Sequence, residues 1–532
     1  MTAAIMLRRV PVTAAAHLQR LRRIAFSLGG ALAVLAVWQL EASLLPVYVL
    51  PSPIAIGQQL LELGPVIVAA LPTTLETALF GWLIGNGIAI ALALIGGLWL
   101  PLETMIGRLG VASHCLPAVA LAPILVAVSR GQTPGIILAA LGTVFTTLAG
   151  MSSGIRYADP RIIEVGHAFN AGTLPLLRHI RLRFGLVGMF NGLLLSVPGS
   201  IVGALMSEYL ISGQGVGAVI ISAQGNLDAP TVWAMCLVCS GVAAVAFGIV
   251  SLVRKTALPW VTKAQVSYTA EPSTKTSRTA PLQVLGSLGL FFILAALIWW
   301  GALRAFHVTP YVGKTPWDVA IYLATGPDAI ANTGEILSTL LVTLAQATAG
   351  LACGSLAALI TAAAFSALPP LRDALMPLVL VFRAIPLLAM TPALVVAFGF
   401  GQTTVIIVAS LLSFFPTLII VLQALDTAPD ELEQVAKAYN ASRLQVSLKI
   451  RAILALPGVF QALRITGTGA LLGAVAAEWL TGSDGIGYFM ILAAGKANFV
   501  ALWASVVVIT IVSMGIYTVI VIAEGAVRRR LL

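Results

Sequence analysis

Val405–Leu425 reads VIIVASLLSFFPTLIIVLQAL, a run without one charged side chain. Wound as a helix it rises about 30 Å, the thickness of a bilayer's hydrocarbon core. Comparable runs lie at Ile24–Leu45, Leu71–Leu100, Gln283–Leu303 and Val500–Ala523. Across all 532 residues, 59% are hydrophobic and 9% charged, against about a quarter charged in soluble domains. So little polar surface would not cover a soluble core of this size. The runs are continuous rather than alternating, which favours helices over a membrane β-barrel. The composition therefore predicts an all-α polytopic membrane protein.

The net charge of +10 follows the same logic. Of the 30 Lys and Arg residues, only Arg130, Arg304, Lys314 and Lys496 fall outside the segments expected on one side of the membrane, apart from Arg383 and Arg464 within or beside spans. This is the positive-inside bias, so the basic balance reports topology and not a nucleic-acid partner. Ile24–Leu45 is too long for a signal-peptide core and is read as a retained first span. Cys115, Cys236, Cys239 and Cys353 all sit in apolar runs. The C-x-x-C at Cys236 and Cys239 has neither a second pair nor a nearby histidine, and packing is preferred over metal or redox chemistry.

Working outward, the chain contains the same unit twice. A shift of about 269 or 270 residues lays Thr74, Gly81 and Gly85 on Thr343, Gly350 and Gly354. It lays Pro117 and Pro123 on Pro386 and Pro392, and Phe169-Asn170-Ala171 on Tyr439-Asn440-Ala441. It also lays Glu208, Gly215, Gly217 and Trp233 on Glu478, Gly485, Gly487 and Trp503. The units are assigned to residues 1–262 and 282–532, joined by a Ser/Thr/Lys/Pro-rich linker at 263–281. Each carries six expected spans: 24–45, 71–99, 109–129, 134–152, 189–211 and 231–252, then 285–303, 338–366, 376–399, 403–425, 459–480 and 500–523. An even number per unit makes the repeats parallel, about twelve spans in all. Both termini, the linker and the loops near 153–188 and 426–458 are expected in the cytoplasm.

Those two loops carry the functional signal. Asp159-Pro160 and Ala428-Pro429-Asp430 open short helical stretches, and Asn170 and Asn440 are residues that stop helices. The arrangement resembles the EAA loop of binding-protein-dependent ABC importer permeases, in which Glu-Ala-Ala is followed by three residues and Gly. Leu50-Pro51-Ser52-Pro53, Pro386 and Pro392 before Gly399 and Gly401, Leu456-Pro457-Gly458, and Glu478-Trp479-Leu480-Thr481-Gly482-Ser483-Asp484-Gly485-Ile486-Gly487 narrow the resemblance to nitrate/taurine (sulfonate) transport permeases.

The resemblance implies the type I ABC importer transmembrane fold, in a bacterial cytoplasmic (inner) membrane. It also implies two separate ABC ATPase subunits that bind ATP and Mg, an extracytoplasmic solute-binding protein, and a small, polar, anionic solute: nitrate, sulfonate, taurine, bicarbonate or a vitamin precursor. The coupling residues it marks are Glu164, Gly166, Ala168, Phe169, Asn170, Ala171 and Gly172 in the first loop. In the second they are Glu433, Gln434, Ala436, Ala438, Tyr439, Asn440, Ala441 and Ser442. Both loops depart from the family by placing Asn where it usually has Gly, and Gln434 falls where the first loop has Glu164.

Other candidates are weaker. Gly313-Lys314-Thr315 resembles the end of a P-loop, but Val308 occupies the position of its first glycine. Glu208 and Glu478 are ionisable groups at the ends of spans, with either a pathway role or a structural one capping the Gly-rich turns that follow. His114 and Arg383 stand three residues before Pro117 and Pro386. Arg383 either attracts an oxyanion or snorkels to the interface. The residues of Thr74–Gly85 and Thr343–Gly354 are read as allowing close helix approach. No nucleophile–base pair, metal-ligand spacing or cofactor loop is apparent, so the chain is expected to be a transport subunit and not an enzyme. The rival reading is a gradient-driven secondary transporter built from two parallel six-helix halves.

Overall fold

The computed structural model describes residues 14–44, 50–99, 118–129, 131–156, 160–210, 214–257, 280–426, 451–482 and 484–531, with isolated positions between them that include 434, 436 and 438–441. In the first unit the helices are α1 (Ala14–Leu44), α2 (Pro53–Glu62), α3 (Gly64–Leu98), α4 (Ala118–Val128), α5 (Thr133–Arg156) and α6 (Pro160–Ala168). They continue as α7 (Thr173–Leu176), α8 (Leu182–Leu210), α9 (Gly215–Gly225) and α10 (Ala229–Ala257), with a π-helical turn, Leu177–Arg181, joining α7 to α8. The second unit has α11 (Ala280–Ala305), α12 (Pro316–Ala320), α13 (Ala329–Ala367), α14 (Pro369–Ala384), α15 (Thr391–Phe398), α16 (Gln402–Asp426), α17 (Ala452–Thr481), α18 (Ile486–Gly495) and α19 (Phe499–Leu531).

Among the described residues, eight helices are long and apolar enough to cross a membrane, four in each unit. α1 and α11, of 31 and 26 residues, cover the expected first spans. The expected third spans, 109–129 and 376–399, are not single helices. In the second unit α14 ends at Ala384, Ile385 turns to extended backbone (φ −72°, ψ 131°), and a short 3-10 turn (Leu387–Met390) leads into the eight-residue α15. Pro386 is the cause: it has no N–H to donate and forces the residue before it out of helical geometry. Pro392, in the first turn of α15, restarts the helix. Among the described residues, the expected twelve continuous spans are thus ten long helices and two third segments that are interrupted, at Leu116 and at Ile385.

Each unit is built around three long helices, α3, α5 and α8 in one and α13, α16 and α17 in the other. Small residues let them approach closely. A Cβ at Gly142 would lie 2.8 Å from the Gly199 carbonyl oxygen, and one at Gly81 would lie 2.9 Å from that of Ile136. Leu83, Ile88, Val245, Leu356 and Val519 are exposed on outward faces, as lipid contact requires. The units also interleave. α1 lies against α14 of the other unit, so close that a Cβ at Gly30 would be 2.6 Å from the Ala374 carbonyl oxygen.

One buried network distinguishes the units. Asn86 donates to the Trp82 carbonyl at 2.7 Å and accepts from the Thr147 hydroxyl, while Trp82 Nε1 donates to Ser196 Oγ at 2.9 Å. The second unit has Leu351, Ser355, Thr417 and Thr466 at these positions, and the buried Ser355 and Thr417 hydroxyls have no partner. Asn86→Ala is therefore expected to cost about 1–2 kcal/mol in thermal unfolding of the purified chain, since it strands the Thr147 hydroxyl. Ser355→Ala removes an unpartnered group and is expected to be neutral or slightly stabilising.

Candidate functional site

Two features recur at equivalent positions, one at each end of the bundle. At the first end, α6 starts on Pro160, whose fixed φ suits the first helical position. The helix closes with Phe169 N–H to Val165 O (3.2 Å), Asn170 N–H to His167 O (2.9 Å) and Ala171 N–H to Gly166 O (3.0 Å). Asn170 has φ 54°. In the second loop Gln434, Ala436 and Ala438 are helical, Ala441 N–H bonds to Ala436 O (3.0 Å), and Asn440 has φ 57°. Asn tolerates this left-handed geometry better than other side chains, which accounts for its standing where glycine is usual.

The turns present one aromatic each: Phe169 is 83% exposed and Tyr439 86%. Glu164, Ala168, Gly172, Gln434 and Ala438 are exposed beside them, while Gly166, Ala171, Ala436 and Ala441 are half-buried. Gly166 seats α6 on the helix that leads into α8, since a Cβ there would meet Leu176 and Ile180. Glu433 and Ser442 lie outside the described residues.

At the far end of α8 and α17, Glu208 and Glu478 each hold a short helix. Glu208 Oε2 accepts from Gly217 N–H at 2.7 Å and from the Thr74 hydroxyl at 3.0 Å, and Thr74 Oγ1 accepts from Val216 N–H at 2.9 Å. In the second unit Glu478 Oε2 accepts from Gly487 N–H at 2.7 Å, and Thr343 Oγ1 accepts from Ile486 N–H at 2.9 Å while its hydroxyl donates to the Thr339 carbonyl at 3.3 Å. The first turns of α9 and α18 are thereby capped from other helices, because neither Gln214 nor Gly485 makes a side-chain cap bond. The carboxyl groups occupy space that a Cβ at Gly215 or Gly485 would fill.

Between these two clasps the units meet. Ala122, Leu138, Met206 and Ala476 form a buried cluster with Leu121, Leu125, Tyr209, Leu388 and Trp479 against it. Tyr209 OH donates to the Ala389 carbonyl at 3.0 Å, and Cys236 Sγ lies 3.6 Å from the same oxygen.

Residues 25–264 and 350–532 match the family described as binding-protein-dependent transport system inner membrane component. The chain belongs to this family. The permease is 34% identical over 176 residues to a probable ABC transporter permease protein of Haemophilus influenzae, a match covering 33% of this chain and 72% of that protein. It is 28% identical over 216 residues to a taurine transport system permease protein of Escherichia coli (40% and 78%). It is 31% identical over 147 residues to a riboflavin transport system permease protein of Chloroflexus aurantiacus (28% and 55%). No solved structure matches the chain.

Of the remaining sequence candidates, His114 lies outside the described residues, and Arg383 is on α14 with its side chain outside them. The P-loop lookalike is a helix cap in the permease: Thr315 and Asp318 form a capping box at the start of α12. In the first unit Ser52 likewise caps α2 through Ala55 N–H at 3.1 Å. Sequence reasoning missed Thr74 and Thr343 as caps, the short helices α9 and α18, and Tyr209 and Trp479 at the junction. The recurrence of Thr, Glu and two Gly in both units was the available signal for the clasps.

Proposed function

We infer that the permease supplies both transmembrane halves of an ATP-driven importer for a small, polar, anionic solute. The observation that carries this reading is the matched pair of loop turns, each ending in left-handed Asn and each presenting an exposed aromatic at the same end of the bundle. Two ATPase subunits, which bind ATP and Mg, each receive one turn, and a solute-binding protein docks on the opposite face. Closure of the ATPases moves the two turns together and switches the pathway by rigid-body motion of the units. The loop end and both termini then lie in the cytoplasm of a bacterial inner membrane, and the chain itself hydrolyses nothing. The solute class rests on relatives whose names specify nitrate and taurine.

The test is ATP hydrolysis by the permease purified with its ATPase and solute-binding protein, with and without nitrate, taurine or other sulfonates. Stimulation by the binding protein together with one anion is the expected result. Solute uptake by the chain alone in liposomes, driven by a proton gradient without ATP, would overturn it in favour of a secondary transporter.

A further inference from the structure

α14 and α16 are tied together in two ways. Val379 of α14 is buried with Leu418, Leu422 and Leu425 of α16, and the rings of Phe382 and Phe415 stack with centroids 5.5 Å apart. These apolar contacts pack the two helices against each other. At the loop end a polar tie is added. Arg372, in the first turn of α14, donates twice to Asp426, the last residue of α16: Nη1 to Oδ1 at 2.8 Å and Nη2 to Oδ2 at 2.6 Å. The two side chains are 33% and 49% exposed. An ion pair so exposed contributes little to folding. Its two-pronged geometry, however, fixes the direction in which one group faces the other.

Both charges stand at the disfavoured end of their helix. A cation near a helix N-terminus and an anion at a C-terminus each oppose the helix dipole. In the first unit the order is reversed. By sequence the equivalent positions are Glu103 and Arg156, and Arg156 lies in the last turn of α5, where a cation is favoured. The second unit thus carries the opposite polarity against the local field, and the pairing of Arg372 with Asp426 is what offsets that cost. The place of the pair gives it a use. Asp426 closes α16 at the root of the second loop. Ala374, two residues beyond Arg372, is where Gly30 of α1 lies against α14. The pair therefore joins the root of the second loop to a helix that also holds the first unit's α1.

We propose that Arg372 and Asp426 are positioning residues for transport, a brace that fixes the direction in which the second loop leaves α16 and ties its root to α14 and to α1 of the first unit. The brace rests on the importer reading above, in which that loop receives an ATPase subunit.

The test uses the full chain assembled with its ATPase subunits and solute-binding protein in proteoliposomes, with nitrate and taurine as the probes. Two quantities are read together: solute imported per ATP hydrolysed, and the unfolding temperature of the complex. Arg372→Gln and Asp426→Asn each remove one charge at nearly constant size. Each is expected to lower the import ratio at least about threefold while the unfolding temperature stays within about 2 °C of the parent. A purely structural role would do the reverse, lowering the unfolding temperature and leaving the ratio of the assembled fraction unchanged. Arg372→Glu together with Asp426→Arg gives the second unit the first unit's polarity and is expected to recover the ratio to within about twofold, whereas Arg372→Glu alone is not. If a neutral variant does not assemble, Arg372→Lys is read in its place: it keeps the charge, loses the second prong, and is also expected to lower the ratio. Assembled single variants that keep the parent's ratio overturn the proposal, as does an assembled charge-swapped variant that fails to recover it. Uptake by the parent without ATP would overturn the importer reading itself, a failure distinct from that of the brace.

Discussion

Replacing Phe169 and Tyr439 together by alanine is expected to cut ATP-driven uptake at least about tenfold and to lose the ATPase from the purified complex, while the thermal unfolding of the permease stays unchanged. Both rings stand in water in the isolated chain, at 83% and 86% exposure, so their removal takes nothing from its core. In the proposed complex each would become a buried aromatic anchor on its turn, the kind of group that dominates interface energetics. Burial of one such side chain contributes about 2–3 kcal/mol, enough for a thirtyfold or larger change in affinity. Ile162, Val165 and Leu174 of the first loop are exposed apolar residues too, so Phe169→Ala alone is expected to weaken ATPase capture and not to abolish it. Affinity capture of the ATPase and uptake in vesicles read this directly. Retention of full ATP-coupled uptake by the double variant would remove these turns from the coupling path.

The membrane class, the duplication and the two Asn-ended loop turns were legible because each leaves a pattern along the chain: uninterrupted apolar runs, a constant shift between equivalent residues, and Pro and Asn bracketing a short loop segment. The broken third segments were half legible. Pro386, Pro392, Gly399 and Gly401 were visible, yet hydropathy integrates over a window and is blind to where Pro386 interrupts the hydrogen-bond ladder. α9 and α18 are apolar but, at 11 and 10 residues, too short to span, and their glycines suggested turns. The clasps join residues 134 positions apart, and Gly30 meets Ala374 across the two units. Such pairings are set by how the helices pack, and nothing local in the sequence announces them. Only repetition did, since Thr74 and Thr343, Glu208 and Glu478, and the paired glycines all survive in both units.

That repetition is sharpest at Gly485, where the expected effect on folding is largest. Gly485→Ala is expected to destabilise the permease by about 3 kcal/mol or more, or to prevent its recovery from membranes. The cause is not backbone conformation, because φ at Gly485 is −92°, which any residue adopts. The nearest atoms to a Cβ there all belong to the Glu478 carboxyl group, which is fully buried. Displacing that group breaks its 2.7 Å bond from Gly487 N–H, leaves the carboxyl group without partners in the interior, and opens the first turn of α18. Overpacking alone costs about 1–3 kcal/mol, and stranding the buried group adds a comparable amount. Gly495→Ala, at the other end of α18 with nothing within 4 Å of its Cβ position, is the control and is expected to change little. A double-mutant cycle isolates the mechanism. In a Glu478→Ala background the obstructing carboxyl group is gone, so the further effect of Gly485→Ala is expected to fall to about 0.5 kcal/mol or less. Additive costs in that cycle would mean that Gly485 is needed for a reason other than room for Glu478.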